Sequence, residues 1–198
     1  MERRRVIKLS FVVSTFNRPG MLPIVLHALA VQTCADFEVI VTNNGPFQHE
    51  CREVVDAMDS RFSHVDTSLT QSCYESAELA VANWATGDFI CFPSDDSYYV
   101  PCFAEVMLKA AEENRWDLVY CNMVYDARFN GQCYGLVNVQ PMENSIDKTG
   151  FILRRSRFVD FPGKTAGGPC NSDGLLIEAL LRSGISHGKV PDVLMVHN

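Results

Sequence analysis

Two adjacent carboxylates, Asp95 and Asp96, close the segment Gly87-Asp88-Phe89-Ile90-Cys91-Phe92-Pro93-Ser94-Asp95-Asp96. The apolar run Phe89 to Phe92 reads as a strand that Pro93 ends, so the pair stands at a strand mouth. Neighbouring carboxylates repel, and a hard divalent cation or strong hydrogen-bond donors offset that repulsion most directly. The strand ends of open α/β sheets are also where such folds bind ligands. The pair therefore points to a metal-assisted phosphate or diphosphate site. The simpler reading of the same residues is an Asx-rich turn capping the helix after Pro101.

The elements that must carry this pair alternate between strand and helix. Leu9 to Thr15 is a β-branched run ended by Asn17-Arg18-Pro19-Gly20, where Asn17 can cap a helix and Pro19 suits its first turn. Leu22, Val25, Leu26 and Leu29 follow the spacing of a buried helix face. Phe37 to Thr42 is a second strand closed by Asn43-Asn44-Gly45-Pro46, and Cys51, Val54, Val55 and Met58 repeat the helical spacing. His64 to Thr67 is a short third strand. A helix carrying Ala77, Ala80, Val81 and Trp84 then runs to a stop at Gly87, with Trp84 expected in the core. Phe103, Val106, Met107 and Ala110 mark the helix that follows the acidic pair.

This order predicts a mainly parallel, doubly wound sheet covered by helices. The second half changes character: Leu118 to Val124, Cys133 to Val139 and Gly150 to Leu153 read as strands of a small antiparallel extension. A loop rich in Gly and Pro (Pro162 to Asn171) precedes a last helix with Leu176, Ala179 and Leu180 on its face and a stop at Gly184. Val193 to Val196 closes the chain as a strand. No repeat, low-complexity tract or linker divides the sequence, and a single domain over residues 1–198 is expected.

Composition narrows the function classes. A formal charge of −7 over 198 residues argues against nucleic-acid binding, which favours a basic face. The basic start Glu2-Arg3-Arg4-Arg5 is either a solvated tail or a small contact with an anionic membrane surface. The eight cysteines form no CxxC pair, and Cys91 and Cys121 lie inside apolar strand patterns. They read as reduced thiols of a cytoplasmic chain, possible contact with a membrane surface aside. Lys8 and Ser10 interrupt the first apolar run, which suits a core strand better than a signal peptide, and no stretch approaches the ~20 apolar residues of a spanning helix.

Four segments, taken together, resemble the family 2 glycosyltransferases, nucleotide-sugar enzymes of GT-A fold. They are Ser10-Phe11-Val12-Val13-Ser14-Thr15-Phe16-Asn17-Arg18-Pro19, then Gln32-Thr33 with Asp36-Phe37-Glu38-Val39-Ile40-Val41, then Ala85-Thr86-Gly87-Asp88-Phe89-Ile90, and Ser94-Asp95-Asp96. The resemblance is strong to about Pro101 and continues more weakly to the end. It implies a Rossmann-like α/β sheet whose residues 1–101 bind the nucleotide sugar and whose residues 102–198 face the acceptor.

The same resemblance implies roles residue by residue. Thr15, Asn17 and Arg18 would lie against the donor nucleotide. Asn43 and Asn44 stand where the family usually has an acidic residue for the base or ribose; an Asn oxygen can still accept from a base N–H, and Asn-Asn-Gly is equally a good turn. Asp95 would contact the ribose or support the metal ligand from behind, and Asp96 would ligate Mn²⁺ or Mg²⁺, with Pro93 where many members have a further Asp. Asp173 would be the catalytic base, with Ser172 replacing the family's Glu; alternatively it only complements a helix dipole. His197 would complete the metal shell or touch the diphosphate, the simpler reading being a surface histidine, and Arg154 or Arg155 would neutralise leaving-group charge, unless one of them is only a surface arginine. Glu78 falls where many members have a basic residue.

The expected activity is inverting, metal-dependent transfer of a sugar from a nucleoside diphosphate, UDP before GDP, to a carbohydrate or other hydroxyl acceptor. A partner chain, a homo-oligomer or a soluble acceptor would complete the acceptor side. The alternative is a non-catalytic nucleotide-sugar or glycan binding module, favoured by Pro93, Asn43 and Ser172. A nucleotidylyltransferase should carry a Gly-rich basic loop after the first strand, and Phe16-Asn17-Arg18-Pro19 is not one.

Overall fold

β1 (Leu9–Thr15) is buried along its whole length, as an unbroken apolar run must be when both faces of a sheet are covered. Around it a computed structural model describes residues 7–68, 72–126, 134–142, 145–163 and 172–198. Glu2 to Arg5, Cys133, Gly167 to Cys170 and Asn171, singled out in the sequence, lie outside the described residues. After β1 come α1 (Leu22–Ala30), β2 (Phe37–Asn43), α2 (Gln48–Asp56), β3 (Phe62–Asp66), α3 (Cys73–Asn83) and β4 (Phe89–Cys91). The remainder is β5 (Ser97–Tyr99), α4 (Phe103–Asn114), β6 (Leu118–Asp126), β7 (Tyr134–Val137), β8 (Phe151–Arg154), α5 (Ser172–Arg182) and β9 (His187–His197). Single 3-10 turns at Lys148–Gly150 and Arg155–Arg157 flank β8.

These strands form one sheet in the order β3-β2-β1-β4-β8-β6-β9-β5, with β7 paired to β6. The first half is parallel, as the alternating order predicts. The expectation of a mainly parallel sheet needs correction, because β8 enters antiparallel between β4 and β6 and β5 runs antiparallel to β9. Nor are the later strands an appendage: they continue the same sheet, and β6 and β9 pair in parallel. The result is a mixed α/β sheet flanked by helices.

Strand direction decides which residues can meet. The carboxyl ends of β1, β2, β3, β4, β6 and β9 share one edge of the sheet, together with the start of β5 and the start of β8. That edge is where open α/β sheets bind ligands. The opposite edge holds the starts of β4 and β6 and the end of β8.

Helix faces follow the sequence pattern. Leu22, Val25, Leu26 and Leu29 of α1 are fully buried. α1 starts later than expected: its N-cap is Met21 without a side-chain bond, and Pro23 rather than Pro19 occupies the first turn. α3 begins with a capping box, in which Ser72 Oγ accepts from the Glu75 N–H and Glu75 Oε2 accepts from the Ser72 N–H at 2.7 Å. It ends at Asn83, before Gly87. Gly87 instead allows close approach, since a Cβ there would stand 2.7 Å from the Ser10 amide nitrogen. Trp84 is exposed, not in the core.

Aromatic rings fill the core on both sides of the acidic segment. Phe11 meets Phe37 and Tyr99 edge-on at 5.6 and 6.1 Å, and Tyr99 meets Phe103 at 4.7 Å. Phe92, Phe158, Phe161 and Tyr74 form a second group beside α3. Each large apolar side chain buried in this way contributes roughly 1.5–3 kcal/mol. The Tyr99 hydroxyl donates to the Thr149 carbonyl at 2.8 Å, which ties the acidic turn's strand to the 3-10 turn before β8.

Candidate functional site

The segment after β4 is pinned from both sides. Ser14 N–H donates to the Pro93 carbonyl at 3.2 Å, and Ser14 and Ser94 form a parallel bridge, so pairing with β1 outlasts the strand itself. Asp95 and Asp96 then make the turn into β5. Asp95 is fully buried; its Oδ2 accepts from Thr15 Oγ1 at 2.7 Å, and Arg18 approaches its Oδ1 to 2.7 Å. Arg18 also donates to Asp96 Oδ2 at 2.7 Å. One guanidinium thus bridges both carboxylates and offsets part of their mutual repulsion.

Burial pushes the Asp95 pKa upward, while the Thr15 hydroxyl and Arg18 work to lower it. Arg18 is itself partly desolvated, but the two carboxylates more than compensate and raise its pKa. Asp96 Oδ1 is buried and has no hydrogen-bond partner. An acceptor left unmade in this way is costly unless a ligand completes it.

β5 and β9 bring the chain's last residues to the same place. Ser97 stands opposite His197 in the register, and Ser97 Oγ lies 3.3 Å from His197 Nδ1. His197 Nδ1 is 3.9 Å from Asp96 Oδ1, and its Nε2 is 3.7 Å from Asp147 Oδ2. The exposed ring of Tyr125, at the end of β6, stacks on the imidazole with centroids 5.7 Å apart. Asn198 Nδ2 donates to the Asp96 carbonyl at 2.7 Å.

Asp147 and Asp173 complete the acidic group. Asp147 caps the 3-10 turn: its Oδ1 accepts from Thr149 N–H at 2.9 Å and from Thr149 Oγ1 at 2.6 Å. Asp173, in the first turn of α5, accepts from the Lys148 N–H at 3.1 Å and from the Gly174 N–H at 3.1 Å. Burial raises its pKa, and the nearby Asp147 charge adds to the rise against those two amide donors. A carboxylate tuned upward is better matched to taking a proton near neutral pH.

The remaining expected residues divide. Asn17 takes a left-handed conformation (φ 56°), tolerated by Asn, and packs against Gly45, where a Cβ would stand 2.8 Å from the Asn17 nitrogen. Asn43 is buried, and its Oδ1 accepts from the Gly45 N–H at 2.8 Å. The turn reading therefore describes that oxygen, while Asn43 Nδ2 is buried without a partner.

Arg154 does not join the group. It ends β8 at the opposite edge, where it binds Asp117 Oδ1 at 2.6 Å and stacks on Phe89 at 4.6 Å. Arg155 is beside it, donating to the Gly87 carbonyl at 2.7 Å. The leaving-group role expected for either arginine is corrected by strand direction: an end of an antiparallel strand points away from the carboxyl edge. Glu78 accepts from the Phe161 N–H at 2.6 Å and so fastens the segment that leads towards α5. Asp147, Lys148 and Tyr125 were not anticipated; an Asp two residues before a Thr is an ordinary turn cap, and nothing in it signals a site.

Asp96 and His197 supply an oxygen and a nitrogen suited to a divalent cation, and the unpaired Asp96 oxygen is the vacant acceptor such an ion would fill. Among the described residues no group of three or more His, Cys, Asp or Glu side chains is arranged to hold a metal. Most of a coordination shell would have to come from ligand oxygens and water. Among those residues, too, no helix is long and apolar enough to cross a membrane. Six cysteines (34, 51, 73, 91, 102 and 121) are free thiols, and burial pushes Cys121 up to about 12.

Residues 10–169 match the family model described as glycosyl transferase family 2. An uncharacterized glycosyltransferase of Haemophilus influenzae is 27% identical over 149 residues, covering 71% of this chain and 47% of its own length. A PGL/p-HBAD biosynthesis glycosyltransferase of Mycobacterium bovis is 30% identical over 122 residues, covering 58% of this chain and 46% of its own. The chain thus spans about half the length of the curated relatives it matches. Among solved structures, S. aureus TarS in complex with UDP superposes with a TM-score of 0.74 at 17% identity, over 96% of this chain and 60% of that one. A mannosyltransferase from Pyrobaculum calidifontis, in complex with GDP-Man and Mn²⁺, gives 0.74 at 15% identity over 97% and 57%. At these identities the structural likeness speaks to the fold.

Proposed function

The chain belongs to glycosyl transferase family 2, and from that premise we propose that it moves a sugar from a nucleoside diphosphate to an acceptor hydroxyl. The observation that carries the reading is convergence. Asp95 with Asp96, Asp147, Asp173 and His197 come from four separate segments and meet at the carboxyl edge of the sheet, with one guanidinium among them.

In this reading the loop after β1 (Thr15, Asn17, Arg18) and the turn after β2 (Asn43) receive the nucleotide, which is UDP in preference to GDP. Residues 1–101 supply the donor side and residues 102–198 the acceptor side. Asp96 and His197 would hold Mn²⁺ or Mg²⁺, which when bound stabilises negative charge on the diphosphate. Asp95, fully buried between Thr15 and Arg18, orients the turn that presents Asp96 and supports the donor site from behind instead of touching the ribose. Asp173 takes the proton of the attacking hydroxyl, and in this reading attack comes opposite the leaving group, with inversion. The acceptor is a carbohydrate or another hydroxyl compound, and the free thiols accord with a cytoplasmic setting.

A thermal-shift panel of UDP, GDP, dTDP and CDP, each with and without Mn²⁺, tests the donor site. A metal-dependent rise for one nucleotide, lost in Asp96→Asn, is expected. No rise with any nucleotide at millimolar ligand overturns the reading. Binding without any hydrolysis of the matching nucleotide sugar would favour a non-catalytic binding module.

A further inference from the structure

We propose that Lys148 is the cation that holds the leaving diphosphate, a proposal that rests on the nucleotide-sugar donor of the preceding section. Lys148 is only 7% exposed, yet its ammonium contacts the face of the Tyr74 ring, 5.1 Å from the centroid. Among the described residues no carboxylate forms a salt bridge with it, and the Asp173 carboxylate, whose pKa its charge helps to lower, acts on it only at longer range. An ammonium buried against a ring without a contacting anion is costly, and the cost falls when a ligand brings one.

Its position says which anion. Asp147, one residue earlier, faces His197, while the Lys148 N–H holds the Asp173 carboxylate at 3.1 Å. The segment therefore lies between the Asp96–His197 pair and the group assigned as the base. From there the side chain runs to the first turn of α3, which Ser14 Oγ fastens to the end of β1 through the Cys73 carbonyl at 3.3 Å. A diphosphate that starts at Arg18 and Asp96 and ends at a sugar beside Asp173 passes this ammonium.

Among the described residues no other cation is better placed. Arg18 is committed to Asp95 and Asp96, and Arg154 and Arg155 are held at the far edge of the sheet. With Arg18 shared by Asp95 and Asp96, and with Asp147 and Asp173 adding two further carboxylates to the group, a second fixed positive charge is what a diphosphate needs on this side. Phe161 packs edge-on to Tyr74 at 4.8 Å and keeps the ring beneath the ammonium.

The test is calorimetric titration of wild type, Lys148→Met and Lys148→Arg with UDP, UMP, GDP and GMP in the presence of Mn²⁺. Lys148→Met keeps the apolar stem, so its melting temperature without ligand checks the fold; should it fail to fold, Lys148→Gln is read in the same way. The expected result is a loss of about tenfold for the diphosphate that the wild type prefers, a change of less than about twofold for its monophosphate, and recovery in Lys148→Arg. Equal losses for diphosphate and monophosphate, or an unchanged preference in Lys148→Met, overturn the assignment. A wild type that binds none of the four overturns the donor reading and this proposal together, a pattern distinct from failure of Lys148 alone.

Discussion

Thr15 Oγ1 donates to Asp95 Oδ2 at 2.7 Å across a separation of 80 residues. The bond joins the end of β1 to the turn after β4, inside a position with no solvent access on the Asp95 side. Thr15→Val keeps the shape and removes the donor, leaving a buried carboxylate oxygen short of a partner. The expected cost is about 1–3 kcal/mol, a fall in Tm of roughly 2–12 °C for a chain of this size. Because burial raises the Asp95 pKa, the deficit should shrink as acid protonates that group. An unchanged Tm at neutral pH would show that the bond does not hold the turn.

Arg18 is the cation shared by Asp95 and Asp96. Arg18→Met should lower the melting temperature without metal, since the pair then faces itself alone. It should also enlarge the rise produced by Mn²⁺, because the ion has no guanidinium to compete with. Differential scanning fluorimetry with and without Mn²⁺ measures both. A smaller metal-induced rise than in wild type would mean that Arg18 supports cation binding instead of opposing it.

Asp173 carries a pKa raised by burial and by Asp147. The folded protein therefore binds more protons than the unfolded chain between the ordinary carboxylate value of 3.8 and the raised one. Across that window the contribution of Asp173 to stability falls as pH rises. Asp173→Asn lacks this titration, so its Tm relative to wild type should become more favourable as pH rises from the ordinary carboxylate value of 3.8 through the raised one. The same variant should lose transfer activity by at least about 100-fold, as expected for removal of a general base. Wild-type activity should fall as acid protonates Asp173. A flat Tm difference across this range would contradict the burial of an ionised group there.

Gly87 lies against the start of β1, where a Cβ would come within 2.7 Å of the Ser10 nitrogen, 2.8 Å of Ser10 Oγ and 2.9 Å of the Leu9 carbonyl carbon. Two of these atoms are backbone in a central strand and cannot swing aside. Gly87→Ala should cost about 1–3 kcal/mol by overpacking. Chemical denaturation reads this directly, and a variant as stable as wild type would show that β4 can shift away from β1. The substitution is far from the carboxyl edge, so nucleotide-induced stabilisation should persist in the folded fraction.

Much of the first half of the chain was legible in the residues themselves. The burial of β1, the helix face Leu22-Val25-Leu26-Leu29 and the strand ending before Asp95 follow from short-range periodicity and from proline's missing N–H, which are local properties of the chain. The adjacency of Asp95 and Asp96 is covalent, so the likelihood of a charged site there needs no fold to be read. The family resemblance added order to these pieces, and the match over residues 10–169 agrees with it.

Tertiary structure decided the rest, because strand direction and register are not written in any one segment. Arg154 looks like a cation near the site until β8 runs antiparallel and delivers it to Asp117 at the other edge. Asp147 looks like a turn cap until the register of β5 with β9 brings His197 to within 3.7 Å of it. Lys148 carries no motif, and only the packing of the 3-10 turn on α3 buries its ammonium against Tyr74. Sequence alone marked most of the strands, though not β5 (Ser97–Tyr99) or the first half of β9, and where two carboxylates would sit side by side, since those depend on neighbours along the chain. Which charges face one another depended on pairings between residues as distant as Ser97 and His197, and long-range hydrogen bonding in the sheet is what fixed them.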